Sequence, residues 1–379
     1  MKVAIIGGGA SGCIAALRLK LNNPNLDVTI YEKNNKLLKK VLTTGNGRCN
    51  LSNENISSDK YQHQNIIDEM INLGYKNKVL EFFNDLGLFT VVEEGRIYPK
   101  SNQAATVVEL LTKELFYKKV NVVLNSEVND IKEKNGKYVI LNEIYDKVLI
   151  CVGTSASVNN FNESILKGLN LRFIPFKPAL VGFKVKEDIE ALFGVRASAT
   201  VTLGNYTSKG EVMFKEDGVS GICVMDLSVY RTDEVTLSFD FLDDYSFDML
   251  KMIVNRKIKN DPYVHLHNLL FGSVNNKLLG LFNKGYPNVK VTTLDSDVLD
   301  SYLKQFKEFK LTIDSTYKLS NAHVAKGGIA LDELSLFEVK SKPNLFVLGE
   351  ATDEVGICGG YNLWYAFTSG LIVADNICK

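Results

Sequence analysis

The N-terminal part of the chain alternates short apolar runs with stretches of helical periodicity. Buried-strand patterns are seen in KVAII (2–6) and LDVTIYE (26–32), and helical spacing runs between them through CIAALRLKLNN. Further apolar strands are DKVLICVG (146–153) and, near the C-terminus, LFVLGE (345–350). Strands that alternate with helices predict a doubly wound, mainly parallel α/β sheet.

The segment from 104 to 150 continues this domain. It contains an amphipathic helix in AATVVELLTKELFY (104–117) and a strand in VNVVLN (120–125). SEVNDIKEKNGKYVILN (126–142) predicts a strand pair around the Asn-Gly turn at 135 and 136. Val128 falls in the first strand of that pair, where its backbone could contact an adenine; an ordinary strand valine is equally consistent with the pattern.

The middle of the chain changes character twice. Short alternating strands with turn signals run from FIPFKPALVGFKV (173–185) to LSFDFLD (237–243), which predicts a β-rich domain. DMLKMIVNRKIK and SDVLDSYLKQFKEF then have helical period, and strand-like KLTIDST follows at 310–316. We expect the helices to form an insertion in the β-rich domain.

The turn GGGASG (7–12) lies between the first strand and the first helix. Gly7, Gly9 and Gly12 occupy the three glycine positions of a G-x-G-x-x-G dinucleotide turn. Glu32 ends the second strand twenty residues after Gly12, where a carboxylate can accept hydrogen bonds from an adenosine ribose. The acid favours FAD or NAD over NADP as the ligand of this turn.

The C-terminal segment decides between FAD and NAD. LFVLGE ends in Gly349 and Glu350, with Asp353 close behind, and GGYNL (359–363) then opens a helix. A helix N-terminus beside a flavin pyrimidine ring would stabilise the negative charge that reduction places there. We therefore predict FAD, held by both ends of the chain. A second G-x-G-x-x-G turn is missing, so any NAD(P)H that serves as electron donor would bind transiently over the flavin, without a domain of its own.

Composition narrows the function classes. Lys+Arg and Asp+Glu both number 44, and this balance argues against a nucleic-acid partner. No apolar run approaches a membrane span, and the N-terminus does not resemble a signal peptide. The six cysteines are scattered and histidines number four, which argues against a disulfide framework or a metal site and favours the cytoplasm.

Several motifs together resemble one family, the flavoproteins grouped with aminoacetone oxidase and BaiN. The resemblance covers most of the chain and rests on GGGASG with Glu32, TTGNGRCNLSN (43–53), EGRIYPKSNQA (94–104), GVSGICVMDLS (218–228), KGGIALDEL (326–334) and GEATDEVGICGGYNL (349–363). It implies a glutathione-reductase-like Rossmann FAD-binding domain, discontinuous and interrupted by a β-rich domain that carries a helical insertion. We place these parts at 1–172 with 321–379, at 173–245 with 308–320, and at 246–307.

The resemblance has departures. Ile222 stands where the family usually has proline, Leu38 where it commonly has glycine, and VGTSAS (152–157) where it has TGG, with Gly153 retained. Part of the substrate pocket is therefore expected to differ from that of the family, so the family's substrates are not carried over.

From the motifs and the resemblance we predict a set of cofactor-binding residues and assign no catalytic residue. The set is Gly7, Gly9, Ala10, Ser11, Gly12, Glu32, Lys33, Arg48, Cys49, Asn50, Val128, Gly153, Gly349, Glu350, Asp353, Gly360, Tyr361, Asn362 and Leu363.

Some roles stay open at this point. Arg48 either offsets charge on the cofactor or forms a structural salt bridge, and Tyr361 either lines the ring or anchors its helix. The lysine-rich run KNNKLLKK (33–40) is either a solvated surface or an attractor for phosphates. We interpret Cys49 as a packed contact residue rather than a redox thiol, with Cys358 the one partner worth testing.

The expected activity is that of an FAD-dependent oxidoreductase acting on a small molecule. It is either an oxidase of a primary amine that passes electrons to O₂, or an NAD(P)H-dependent reductase of an unsaturated substrate. The alternative is a non-catalytic flavoprotein. The oligomeric state is not predicted.

Overall fold

The computed structural model describes residues 1–154, 156, 161–230 and 234–379. The chain divides into two compact units, Met1–Lys177 with His323–Lys379, and Pro178–Ala322. Ser155 and Ser157 of the VGTSAS departure lie outside the described residues. The three-part division given above, with its helical insertion, stays a proposal.

The helices and strands follow one another along both units. The α-helices are α1 (Ala10–Asn22), α2 (Gln64–Asn72), α3 (Lys78–Asp85), α4 (Ala104–Tyr117), α5 (Ser164–Lys167), α6 (Ile222–Leu227), α7 (Phe247–Asn260), α8 (Leu266–Leu269), α9 (Asn276–Asn283), α10 (Ser296–Lys307) and α11 (Tyr361–Ile377). The strands up to the second unit are β1 (Lys2–Ile6), β2 (Asp27–Tyr31), β3 (Ser52–Asn53), β4 (Thr90–Glu93), β5 (Arg96–Pro99), β6 (Asn121–Val123), β7 (Lys132–Lys134), β8 (Lys137–Ile140), β9 (Glu143–Tyr145), β10 (Lys147–Ile150) and β11 (Phe173–Ala179). The remaining strands are β12 (Phe183–Val185), β13 (Arg196–Leu203), β14 (Tyr206–Phe214), β15 (Gly218–Ser220), β16 (Thr236–Asp240), β17 (Phe309–Thr316), β18 (Val324–Ile329), β19 (Leu334–Ser335), β20 (Glu338–Val339) and β21 (Leu345–Val347).

The first unit is built on the predicted sheet. Its strand order is β19-β20-β21-β10-β1-β2-β6, and the pairs from β21 to β6 are parallel. The inner strands are apolar because helices and loops cover both faces, so every side chain from Val3 to Ile5 is fully buried. The carboxyl ends of β1, β10 and β21 meet at one edge, which confirms the predicted Rossmann-type α/β architecture.

Helix α11 packs on α1 at the small residue Gly370. A Cβ on Gly370 would lie 2.6 Å from the carbonyl oxygen of Ser11 and 3.1 Å from the backbone nitrogen of Ala15. Close helix–helix approach therefore accounts for the small residue. The packing brings the C-terminal helix against the start of the first helix.

The Asn-Gly turn forms the predicted hairpin. Asn135 and Gly136 have φ values of +54° and +72°, which is the geometry of a type I′ turn, and β7 and β8 pair around them. The strand before the turn begins only at Lys132, so the expectation that Val128 lies in a strand is wrong. Val128 is instead buried in a loop, against apolar residues that include Ile6 and Tyr31.

The second unit contains a closed barrel, which confirms the predicted β-rich character of this part of the chain. Its strand order is β12-β15-β14-β13-β16-β17, with antiparallel neighbours. Helices α7 to α10 lie between β16 and β17 in sequence and add Leu250, Phe282 and Phe306 to the barrel's apolar core.

Candidate cofactor site

The glycine-rich turn between β1 and α1 has a closed side and an open side. Gly7 has a φ of +106°, and a Cβ there would overlap the carbonyl oxygen of Cys151. A Cβ on Gly12 would overlap the carbonyl oxygen of Gly7, so helix and strand touch directly. Gly9 differs, because a Cβ there would meet no atom of the described residues within 4 Å. The backbone is therefore open at Gly9, at the start of α1.

The open side coincides with the N-terminus of α1. Gly9 is the N-cap residue, and Ala10 and Ser11 are the first residues of the helix. The first N–H groups of a helix have no intrahelical acceptor and carry partial positive charge, which suits a phosphate. No acidic side chain lies in this first turn to compete for them.

Glu32 holds the turn from the neighbouring strand. Its side chain is buried, and Oε2 accepts the backbone N–H of Gly8 at 2.8 Å. Oε1 accepts the backbone N–H of Asn34 at 2.8 Å and its side-chain N–H at 2.6 Å. A carboxylate offers about four acceptor positions, so Glu32 retains capacity for a hydroxyl donor.

The C-terminal motif reaches the same place. Gly349 has a φ of +60°, its N–H donates to Ser369 Oγ at 3.1 Å, and a Cβ on it would lie 2.9 Å from Ser11 Oγ. Glu350 Oε2 lies 3.8 Å from the point where a Cβ on Gly153 would stand. The start of α1 and the ends of β10 and β21 thus converge, as the motifs predicted.

Lys40 adds a cation to this convergence. Its Nζ lies 2.8 Å from Oε2 and 3.1 Å from Oε1 of Glu350, and both side chains are partly buried. Lys36 and Lys39, from the same run, are exposed, and Lys33 Nζ lies 5.3 Å from the ring centroid of Phe161. The run therefore combines solvated lysines with one lysine at the candidate site.

Leu38 explains one departure from the family resemblance. It has a φ of +56°, in the left-handed region that glycine adopts without strain, and its N–H donates to the carbonyl oxygen of Gly8 at 2.8 Å. The side chain is buried. Burial of the leucine side chain offsets backbone strain at a position where the family commonly has glycine.

The loop TTGNGRCNLSN has an unusual backbone. Gly45, Asn46, Gly47 and Cys49 all have positive φ, between +55° and +81°. A Cβ on Gly45 would lie 3.0 Å from the backbone nitrogen of Asn50. The glycines and asparagines accept this conformation at little cost, and Cys49 accepts it with strain.

Asn50 brings this loop into contact with the start of α11. Its Oδ1 is buried and has no hydrogen-bond partner among the described residues, and it lies 2.7 Å from the point where a Cβ on Gly360 would stand. The neighbouring Asn53 donates from Nδ2 to the carbonyl oxygen of Gly359 at 2.9 Å. The two predicted flavin-side motifs therefore touch.

Tyr361 and Asn362 anchor the helix start. Tyr361 is buried, its carbonyl oxygen accepts from the hydroxyl of Tyr61 at 2.9 Å, and the two rings meet edge to face at 5.8 Å. The side chain of Asn362 accepts from the N–H of Gly356 at 2.9 Å and donates to its carbonyl oxygen at 2.8 Å. Leu363 packs against the apolar core. The helix N-terminus at Gly360 is thus fixed in position.

Cys49 is in the environment of a packed residue. It is fully buried and free, and burial raises the pKa of its thiol to about 12. A thiol with so high a pKa is a poor nucleophile at neutral pH. Cys358 is partly exposed.

Arg48 is engaged by other side chains. Its Nη2 lies 2.5 Å from Glu93 Oε2 and 2.7 Å from Asn102 Oδ1, and the guanidinium stacks 4.0 Å from the ring centroid of Tyr98. These are the contacts of the structural alternative. Charge compensation of a cofactor by Arg48 is therefore the less supported interpretation.

Asp353 lies behind the site. Its carboxylate is 2 % exposed and Oδ2 lies 3.2 Å from His63 Nε2. Sequence reasoning missed His63, Lys40 and the neighbouring Glu354, because each acts through a partner about 290 or more residues away. The Lys-rich composition of 33–40 was a signal for Lys40, and Glu354 lies within the motif GEATDEVGICGGYNL, but neither pattern indicates the partner of the residue.

The residues present fit FAD. Gly9 leaves open space beside helix N–H groups for a pyrophosphate, and Glu32 and Glu350 offer carboxylates for ribose and ribityl hydroxyls. Asn50 Oδ1 is a buried acceptor without a hydrogen-bond donor among the described residues. An oxidised flavin ring has one N–H group that could donate to it. The assignment of these individual residues to the cofactor is a proposal.

Comparison with known proteins supplies the family. The chain matches the model of the HI0933-like protein Rossmann domain over residues 1–376. It belongs to that family. It is 32 % identical to the 3-dehydro-bile acid delta(4,6)-reductase of Clostridium scindens over 98 % of this chain and 97 % of the relative. It is 25 % identical to the ribosomal RNA dihydrouridine synthase of Escherichia coli, again over 98 % and 97 %. A solved 3-ketosteroid delta1-dehydrogenase from Sterolibacterium denitrificans matches over 99 % of both chains with 12 % identity and a TM-score of 0.48.

The family is FAD-binding, and the protein is an FAD-dependent oxidoreductase, as the sequence predicted. Within the described residues, no helix has the length and apolar character that crossing a membrane requires. The prediction of no nucleic-acid partner stays open, because one relative is named for a ribosomal RNA substrate.

Proposed function

We propose that the protein reduces a carbon–carbon double bond conjugated to a carbonyl group in a small molecule, with NAD(P)H as the electron donor. The observation that carries this proposal is the full-length relationship to a delta(4,6)-reductase at 32 % identity. The more distant relative, a dihydrouridine synthase, is also named for reduction of a ring double bond. Two relatives named for the same type of reaction support a reductase over an amine oxidase.

Each part of the candidate site has a role in this proposal. The start of α1 binds the pyrophosphate, Glu32 binds the adenosine ribose, and Glu350 with Lys40 binds the ribityl chain. Asn50 and the N-terminus of α11 hold the pyrimidine edge of the ring and favour negative charge there. Bound FAD supplies hydride transfer.

The proposed donor has no dinucleotide-binding turn of its own in the described part of the first unit. Among the described residues, we find no second glycine-rich turn at the start of a helix that follows a parallel strand. In this proposal the nicotinamide nucleotide binds transiently over the flavin, reduces it and leaves before the substrate binds. This supports ping-pong kinetics, in which the two half-reactions are independent.

A second candidate, reduction of uridine in RNA, is favoured by one observation, the relationship to the ribosomal RNA dihydrouridine synthase. The zero net charge of the chain speaks against it, because a protein that binds RNA along its backbone is expected to carry an excess of lysine and arginine to neutralise several phosphates. The chain also carries less identity to that relative than to the bile-acid reductase.

The FAD-loaded protein tests these candidates with NADPH or NADH under nitrogen. We expect consumption of the nicotinamide with a 3-keto-4,6-diene steroid or a smaller enone and formation of the saturated product. Product from an unmodified ribosomal RNA transcript, with none from enones, would favour the second candidate. Hydrogen peroxide from a primary amine in air, without NAD(P)H, would contradict both.

A further inference from the structure

A short strand-like ladder joins the two C-terminal motifs of the candidate site. The N–H of Gln62 donates to the carbonyl oxygen of Val355 at 2.9 Å, and that of Ile357 donates to Lys60 at 3.0 Å. An antiparallel bridge pairs Tyr61 with Gly356 between them. The segment from 354 to 357 thus connects the Glu350 region to the turn before α11, and residues 60–62 hold it in place.

Glu354 begins this ladder in a setting that suits a neutral acid. Its side chain is buried, and Oε1 accepts the N–H of Val355 at 2.8 Å and that of His63 at 3.2 Å. Oε2 is buried and has no hydrogen-bond partner among the described residues. No ion pair involves Glu354 in the described part of the chain. A buried carboxylate with an empty oxygen and no cation is strongly disfavoured against its protonated form.

The groups that face Glu354 reinforce this. Asp353 is adjacent and equally buried, and His63 Nε2 contacts Asp353 at 3.2 Å, so the histidine does not neutralise Glu354. The phenols of Tyr61 and Tyr365 stay neutral, because burial raises the pKa of each well above its usual value. Burial first, and then repulsion by Asp353, raise the pKa of Glu354 to about 8.

We propose that Glu354 carries a proton in the native protein and that this proton is linked to FAD binding, so that its loss weakens the hold on the cofactor. Two effects act in the same direction. Ionisation would place a second negative charge beside Asp353, near a site built for a dianionic cofactor. It would also strain the ladder, since buried charge draws in water.

Hydrogen bonds connect the ladder to the predicted flavin-side residues. The hydroxyl of Tyr61 donates to the carbonyl oxygen of Tyr361, and both polar atoms of the Asn362 side chain bond the backbone of Gly356. A shift of the ladder therefore moves the first turn of α11. This inference rests on the proposed placement of FAD at that turn, and its test separates the two.

The first measurement is FAD affinity between pH 6 and pH 9.5, by calorimetry in two buffers of different ionisation enthalpy. We expect the wild type to take up protons on binding, with affinity about threefold or more weaker at pH 9 than at pH 7. Glu354→Gln should bind FAD without this pH dependence, whereas Glu109→Gln, an exposed change on α4, should retain it. Proton uptake that persists in Glu354→Gln would overturn the proposal.

The second measurement uses the protein without FAD. Native Glu354 would hold a proton between about pH 4.5 and pH 8 that the unfolded chain has lost, so the unfolding free energy falls as pH rises through this window. Glu354→Gln should lose a slope equivalent to one proton. Equal slopes in the two proteins would overturn the neutral acid. If the two proteins differ in the slope of unfolding free energy against pH but FAD affinity does not depend on pH, Glu354 is a neutral acid whose proton is not linked to FAD binding. In every case, FAD binding by both proteins would leave the proposed function intact.

A third readout needs no substitution. With ¹³C-labelled glutamate in the wild type, the carbonyl stretch of a protonated carboxylic acid should be present at pH 7 and absent at pH 9.5. Its absence at pH 7 would overturn the proposal even if Glu354→Gln failed to fold.

Discussion

The two ends of the candidate FAD site differ in how completely the protein satisfies its own polar groups. At the glycine-rich turn, both oxygens of Glu32 accept hydrogen bonds and Gly7 and Gly12 close the backbone against the sheet. At the start of α11, Asn50 Oδ1, Gln62 Oε1 and Glu354 Oε2 are buried without partners among the described residues. Buried polar atoms without partners are costly, so they are retained where a ligand or a proton completes them. At the first end, the completed end, the fold supplies partners for the buried side-chain oxygens and leaves only helix N–H groups and a spare acceptor position of Glu32 for the ligand. At the second end, buried side-chain oxygens gain partners only from what binds there.

The largest effect is expected at the completed end. Gly7→Ala should destabilise the protein by about 3 kcal/mol or more and abolish FAD binding, because the Cβ would overlap Cys151 at a positive φ. Gly87→Ala is the matched control, since Gly87 also has a positive φ but a Cβ there meets no atom within 4 Å in the part of the chain that the structure describes. It should cost about 1 kcal/mol, as measured by denaturant unfolding. Equal losses would show that strain alone, without the overlap, governs the turn.

At the other end, neighbouring asparagines should respond in opposite ways. Asn50→Ala should change the unfolding free energy of the FAD-free protein by less than about 0.5 kcal/mol and weaken FAD binding about tenfold, because its oxygen serves the ligand. Asn53→Ala should lower stability by about 1–2 kcal/mol, because its amide bonds Gly359 and Asn55 within the fold. Unchanged FAD affinity in Asn50→Ala would remove Asn50 from the site.

Substitution of Lys40 tests whether its ion pair with Glu350 belongs to the FAD site. Lys40→Met should weaken FAD binding by about threefold to tenfold at low salt, because it removes a partly buried cation beside Glu350. Lys39→Met, which changes the exposed neighbour, should have a smaller effect that salt abolishes. Fluorescence titration of FAD at two salt concentrations measures both. If the two variants bind FAD with indistinguishable affinities, the whole run 33–40 is a solvated surface without a role in FAD binding.

The smallest effect is expected at Cys49. Cys49→Ser should retain FAD and its reduction, with a stability loss of about 1–2 kcal/mol from burying a hydroxyl. In the wild type at pH 8, iodoacetamide should spare Cys49, because its thiol has a pKa raised to about 12, and should modify the partly exposed Cys358 first. Loss of flavin reduction in Cys49→Ser with FAD still bound would make it a redox thiol.

The sequence predicts the completed end better than the other, for a physical reason. Gly7, Gly12 and Glu32 belong to one local strand–turn–helix–strand unit, and their spacing can be recognised in the amino-acid sequence. The packing of α11 on α1, the ion pair of Lys40 with Glu350 and the burial of Glu354 depend on tertiary contacts between distant segments. The strand predicted at Val128 is also wrong. Val128 lies in a loop and is buried in an apolar cluster with residues of other strands.

The central claim, a reductase that uses bound FAD to saturate a conjugated double bond, is tested most directly by two half-reactions in an anaerobic stopped-flow instrument. NADPH or NADH should bleach the flavin absorbance, and a subsequent enone should restore it in the absence of oxygen. Flavin that neither nicotinamide bleaches, or that only oxygen restores, would contradict the claim.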